Sequence, residues 1–202
     1  MKYLSIDFET TGLEAGVHSP LSFAAIWDNG DPSIERLPIF EYKFAWQRVI
    51  LDITAARINY ELICEYLRGA KFTDQPPTVA GFDKPEDFKD RFMSWLVGEC
   101  GFNPIKDRVN LAGKNPSFDH AFLKTLGITC CRHRHIDPAH YFVDWAKDEA
   151  IPGLSDCLKR AGITGLTLHT AKDDAMAIVL LMRSYLGKHS EALRVVVPEV
   201  QR

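Results

Sequence analysis

Two acidic residues, Asp7 and Glu9, stand two apart near the start of the chain with Phe8 between them. Leu4, Ile6 and Phe8 alternate with them at period two, which predicts a strand from Lys2 to Glu9 entering a turn at Thr10-Thr11-Gly12. On such a strand the Asp7 and Glu9 side chains leave one face and Phe8 leaves the other. Like charges that close are unfavourable unless a cation or a bound proton compensates them; the alternative is that both are solvated at a frayed strand end. A third acid, Asp119, falls in the first turn of a helix opened by Asn115-Pro116, with Phe122, Leu123 and Leu126 following at spacings of three, four and seven. Its carboxylate points toward the core face, where it serves either a metal or the helix N-terminus. In His169-Thr170-Ala171-Lys172-Asp173-Asp174, Asp174 shares a helix face with Ile178, Leu181 and Tyr185 and is expected inward, leaving Asp173 as the solvent-side N-terminal charge. On one continuous helix His169 would lie about 140° from Asp174, so it is placed on the loop entering the helix.

These positions need a scaffold. Leu21 to Trp27 predicts a second strand and Ile34 to Phe44 a third, separated by the turn signals Asn29-Gly30-Asp31-Pro32. A helix is expected from Asp52 to Gly69, stopped before Pro76-Pro77, and another from Pro85 to Gly98, with Phe88, Phe92, Trp95 and Leu96 on one stripe. Val109 to Ala112 is a short strand candidate, Pro116 to Leu126 a helix, and Thr129 to Asp137 a further strand. Helices over Pro138 to Trp145, Leu154 to Arg160 and Ala171 to Leu186 complete an α/β pattern of a mixed sheet covered by helices.

A chain of 202 residues that is 46% hydrophobic and 25% charged can bury a full core. Nothing in it resembles a linker or a repeat, so one domain over 1–202 is expected, with about 188–202 as a C-terminal extension. The sequence carries no apolar run of membrane-helix length, and the odd, irregularly spaced cysteines do not suggest a secreted disulfide framework, so a cytoplasmic protein is expected. A net charge of −3 provides no large basic field. Four clustered carboxylates would account for that excess, and two divalent cations would reverse it. The run Cys130-Cys131-Arg132-His133-Arg134-His135 is the densest set of soft ligands, but strand alternation divides it between two faces and no CxxC pair closes a zinc site.

Taken together, Asp7-Phe8-Glu9-Thr10-Thr11-Gly12-Leu13, Asn115-Pro116-Ser117-Phe118-Asp119-His120-Ala121-Phe122-Leu123, and His169 with Asp174 resemble the three exonuclease motifs of the DEDDh, or DnaQ-like, superfamily in order and in local context. Asn115-Pro116-Ser117 departs from the small residues usual before the motif Asp, and Gly16 to Arg108 carries no match, leaving its helix and Pro76-Pro77 loop as the expected determinants of substrate choice. The resemblance implies a ribonuclease H-like fold with a mixed five-stranded sheet flanked by helices. It implies a 3′→5′ exonuclease that shortens single-stranded DNA or RNA from the 3′ end to nucleoside 5′-monophosphates. Asp7, Glu9, Asp119 and Asp174 would hold two Mg²⁺ or Mn²⁺ ions, hard cations matched to oxygen donors. His169 would be the general base, since an imidazole titrates near neutrality. Thr10 and Leu13 would contact the terminal nucleotide, with Asn115 and Phe118 beside it, although Phe118 also suits the core. A homodimer or a polymerase is the implied protein partner, and no membrane is involved. A binding scaffold of the same fold without catalysis is the alternative, and the intact set of five catalytic positions argues against it.

Overall fold

A computed structural model describes residues 1–46, 49–69 and 79–187 of the chain. The expected loop at Pro76-Pro77 and the expected extension from 188 lie outside the described residues. Among the described residues four strands form one sheet in the order β3-β2-β1-β4. They are β1 (Tyr3–Thr10), β2 (Pro20–Asp28), β3 (Ile39–Lys43) and β4 (Leu111–Ala112). The first three are antiparallel neighbours, whereas β4 runs parallel to β1, so β1 lies inside a mixed sheet. Among the described residues six helices accompany the sheet: α1 (Ile53–Ile58), α2 (Tyr60–Gly69), α3 (Phe88–Gly98), α4 (Pro116–Thr125), α5 (Leu154–Ala161) and α6 (Ala171–Tyr185).

The fifth strand expected from Thr129 to Asp137 is not formed. Two isolated parallel bridges stand in its place, Val109 to Cys131 and Ala112 to Ile136. Between them the outer chain advances by five residues while the inner one advances by three, so Arg132 to His135 bulges out and the ladder cannot continue. Other elements are shorter than their apolar patterns suggest. Ile34–Arg36 is a single 3₁₀ turn, and β3 begins only after Pro38, which offers a carbonyl to Trp27 but no amide. Pro85–Asp87 and Pro138–Phe142 are likewise 3₁₀ turns. The helix expected from Asp52 to Gly69 breaks into α1 and α2 at Asn59.

Alternation along β1 sends Leu4, Ile6 and Phe8 into a core shared with Phe23, Phe40, Phe88, Phe92 and Phe122, contributed by β2, β3, α3 and α4. The rings meet in tilted and edge-to-face contacts, Phe8 to Phe23 at 4.4 Å and Phe23 to Phe88 at 5.2 Å between centroids. The other face of β1 carries Tyr3, Ser5, Asp7 and Glu9. It is covered by α6, which comes close because the facing residues are small: Ala24, Ala112, Ala171 and Ala175 are all buried in that layer. Ser5 Oγ donates to the Ala175 carbonyl at 2.7 Å, a side-chain tie between the sheet and the helix backbone.

At the far end of α6, Arg183 grips Asp28 through two bonds of 2.8 and 2.9 Å, and the Tyr3 hydroxyl donates to the same carboxylate at 2.8 Å. Arg183 and Asp28 are buried, and the guanidinium holds the Asp28 carboxyl below its ordinary range despite burial. Removing one partner strands the other charge in the core, so Asp28→Ala is expected to cost about 3–5 kcal/mol of unfolding free energy, measured by urea denaturation. A loss below about 1 kcal/mol would show that α6 is anchored elsewhere.

Candidate active site

Asp7 and Glu9 leave β1 on the face that α6 covers, and the first turn of α6 brings Asp174 to them. Ligand atoms of Asp7, Glu9 and Asp174 all lie within 4.8 Å of one another. Asp173 takes no part, because Thr170, the N-cap of α6, engages it twice: the hydroxyl accepts from the Asp173 amide and donates to its carboxylate at 2.8 Å. The inward and outward roles of the two aspartates are therefore divided as the helix pattern predicts.

Asp119 enters from the opposite side of the sheet. Strand β4 ends at Ala112, so the Phe8 amide, on the β4 side of β1, finds no strand carbonyl; Asp119 Oδ1 accepts it at 3.0 Å. Gly113 makes the turn into α4 feasible, since a side chain there would meet the Ile6 carbonyl at 3.1 Å and Pro116 at 3.2 Å. Asp119 is almost wholly buried. Burial raises all four carboxyl groups above their ordinary range, and for Asp7, Glu9 and Asp119 the charge of others in the set adds to it. Asp7 is pushed well up by burial and then by Asp119, Asp174 and Glu9. Burial pushes Asp119 up to about 8 against the opposing amide bonds, with Glu9 adding to the rise. Glu9 rises through burial and Asp174, while His169 and Asn59 oppose; Asp174 rises through burial, opposed by the His169 amide and ring. Among the described residues no lysine or arginine pairs with any of the four. An all-oxygen donor set with uncompensated negative charge fits hard divalent cations.

His169 is exposed at the rim, directly before the α6 cap, and adopts φ +78°, a left-handed conformation unusual for a residue with a side chain. Its amide donates to Asp174 Oδ1 at 3.2 Å, so the loop that presents the imidazole is tied to the acid cluster. After β1, the Thr10 hydroxyl donates to the Gly12 carbonyl and the Thr11 hydroxyl accepts from the Ser19 amide, folding a tight turn that leaves Leu13 83% exposed. Asn115 is exposed at φ +54° before α4, and Phe118 packs on Phe122 at 5.1 Å between centroids, half-buried in the core.

A cleft of about 930 Å³ opens beside Glu9 and His169, with Asn59, Tyr60, Arg68 and Lys172 in its wall. Asn59 was not among the residues singled out by sequence. The signal available was a lone amide inside an apolar helical stretch. The Cys130 to His135 run gathers no comparable ligand set among the described residues. His135 is instead bonded to His120 at 2.9 Å and to the Ser117 hydroxyl at 3.2 Å.

No protein-family model and no curated protein matches the chain. Its fold is similar to solved exonuclease structures. An exonuclease I structure aligns with 96% of this chain at 16% identity and a TM-score of 0.64. A zinc-bound complex of exonuclease I of E. coli with single-stranded DNA aligns at 17% identity and 0.61, and S. pombe Pop2p, bound to Mg²⁺ and Mn²⁺, at 12% and 0.56 over 94% of this chain. The chain spans 42% of the exonuclease I chains and 83% of Pop2p. At these identities the likeness shows the fold alone, the ribonuclease H-like fold of those exonucleases. Among the described residues no helix is long and apolar enough to cross a membrane.

The raised carboxyl groups link stability to pH. A group whose folded pKa exceeds its unfolded value near 4 contributes fully below about pH 4 and loses that contribution as pH climbs through the folded value, about 8 for Asp119. In chelator, Asp119→Asn is therefore expected to melt above the wild type at pH 8, with a smaller gap at pH 5. Excess Mn²⁺ should narrow the gap at pH 8 by stabilising the wild type. Parallel melting curves across pH would contradict the coupling.

Proposed function

We propose that this chain is a metal-dependent 3′→5′ exonuclease that shortens single-stranded nucleic acid to nucleoside 5′-monophosphates. The observation that carries the proposal is the convergence of Asp7, Glu9 and Asp174, from the first strand and the last helix, within 4.8 Å, with Asp119 bonded to the same strand. Asp7, Glu9, Asp119 and Asp174 would hold two Mg²⁺ or Mn²⁺ ions. Such ions supply charge neutralisation to a phosphodiester and stabilise the leaving 3′ oxygen. The ribonuclease H-like fold, shared with exonuclease I and Pop2p, supports the same reading.

The remaining roles are those the motif resemblance implies, and the residues' positions support them. His169, exposed beside Glu9 and Asp174, takes the proton from the attacking water, and its left-handed backbone fixes where the ring starts. Leu13 projects from the turn after Glu9 and wedges against the last base, while the backbone of Thr10 borders the terminal nucleotide. Asn115 lies on the α4 side of the site as a polar contact. Phe118, half-buried, presents at most a ring edge to a base.

A 5′-labelled single-stranded oligonucleotide incubated with Mg²⁺ or Mn²⁺ should shorten stepwise from its 3′ end, and DNA and RNA run side by side identify the preferred sugar. Asp119→Ala should abolish the ladder. His169→Ala should lower kcat by about 10²–10⁴-fold while leaving Mn²⁺ binding near wild type. Intact oligonucleotides of both kinds after incubation with saturating metal would rule the activity out.

A further inference from the structure

The helical stretch after β3 is inverted at one point. Ile58 is 57% exposed, whereas the adjacent Asn59 is 7% exposed. A buried amide costs free energy unless its donors and acceptor are used, and here the break between α1 and α2 turns that side chain onto the catalytic end of β1.

What it meets there follows from the strand register. Pairing of β1 with β2 runs regularly to Glu9 opposite Ser22 and then skips Leu21, so Thr10 stands opposite Pro20. The Thr11 amide donates to the Ser19 carbonyl, so Thr10 and Pro20 form a non-hydrogen-bonded pair; the Thr10 carbonyl faces away from β2, beyond the end of β4, and has no strand donor. Asn59 Nδ2 supplies one at 3.1 Å. Asn59 also lines the cleft beside Glu9, the residue that precedes Thr10. The other end of α1 is fastened to the same turn, where the Asp52 amide donates to the Thr11 carbonyl at 2.7 Å. Asn59 itself is fixed in place: its amide donates to Ala55 at 2.9 Å and its carbonyl accepts from Ile63 at 3.0 Å.

From this geometry we infer that Asn59 is a positioning residue, holding the irregular end of β1 through Thr10, and thereby Glu9 before it, in the arrangement that faces Asp7 and Asp174. Without it, the buried Thr10 carbonyl has no partner, and the strand end that carries Glu9 loses one of its ties to the helical stretch. The inference rests on the metal-dependent reading above, and it assigns a task to the stretch between β3 and α3 that the motifs leave unassigned.

The test compares Asn59→Ala with Asp52→Ala in the full chain. Asp52 caps α1 through the Thr54 and Ala55 amides and is exposed, so its loss loosens the same helix without touching Glu9. Mn²⁺ affinity is measured by calorimetric titration of the protein without substrate, alongside circular dichroism, thermal midpoint, kcat and KM. Asn59→Ala is expected to weaken Mn²⁺ binding about tenfold and to lower kcat with little change in KM, while Asp52→Ala lowers the midpoint and keeps the affinity. Equal Mn²⁺ affinity in Asn59→Ala and wild type, or an equal loss in both variants, overturns the inference. Should Asn59→Ala fail to fold, Asn59→Ser, which retains a shorter donor, is read by the same criteria. A wild-type chain that binds no Mn²⁺ and degrades no oligonucleotide removes the functional reading and this inference with it, whereas a wild type that does both isolates the outcome to Asn59.

Discussion

Mutual repulsion among Asp7, Glu9, Asp119 and Asp174 is the constraint around which this structure is arranged. Each loses solvation on folding and three of them stand within 4.8 Å of one another, so the rest of the molecule must hold them there against their own charge. Rigid placement on three elements achieves this. Asp7 and Glu9 are carried by an interior strand, Asp174 by the capped start of α6, and Asp119 by a helix whose first turn completes the strand's hydrogen bonding. Local preorganisation of that kind suits an oxygen-donor cation site.

The two faces of the sheet serve the constraint differently. Bulky rings fill the layer under α3 and α4, where burial gives most of the stabilisation. The α6 layer is thin instead, with alanines and Ser5 allowing backbone-level approach. A helix packed on small residues has few interlocking side chains to set its register. The Arg183–Asp28–Tyr3 cluster supplies that register at the opposite end from Asp174, about 13 Å away along the helix. Charge is thus compensated at one end of α6 and concentrated at the other.

Much of this could be read from residue order. Alternation in β1 put Asp7 and Glu9 on one face, and the apolar stripe of α6 separated Asp174 from Asp173, because both depend only on the period of a regular element. Interruptions were harder to read. Apolar character from Ile34 to Phe44 concealed a 3₁₀ turn imposed near Pro38, and the Cys130 to Ile136 segment was strand-like in composition but formed two bridges around a bulge. Asn59 was hidden for the same reason: it meets the Thr10 carbonyl only where β1 runs on past the end of β4. Features of that sort arise from long-range pairing, which no local period encodes.

His169 sits in a backbone region where glycine is relaxed and a branched or ring-bearing residue is strained by about 1 kcal/mol or more. Selection for a tougher fold would accordingly favour glycine there, and selection for proton transfer would favour the imidazole. The chain retains the costlier choice at the mouth of the cleft, a cost in durability that the proton transfer proposed for His169 would repay.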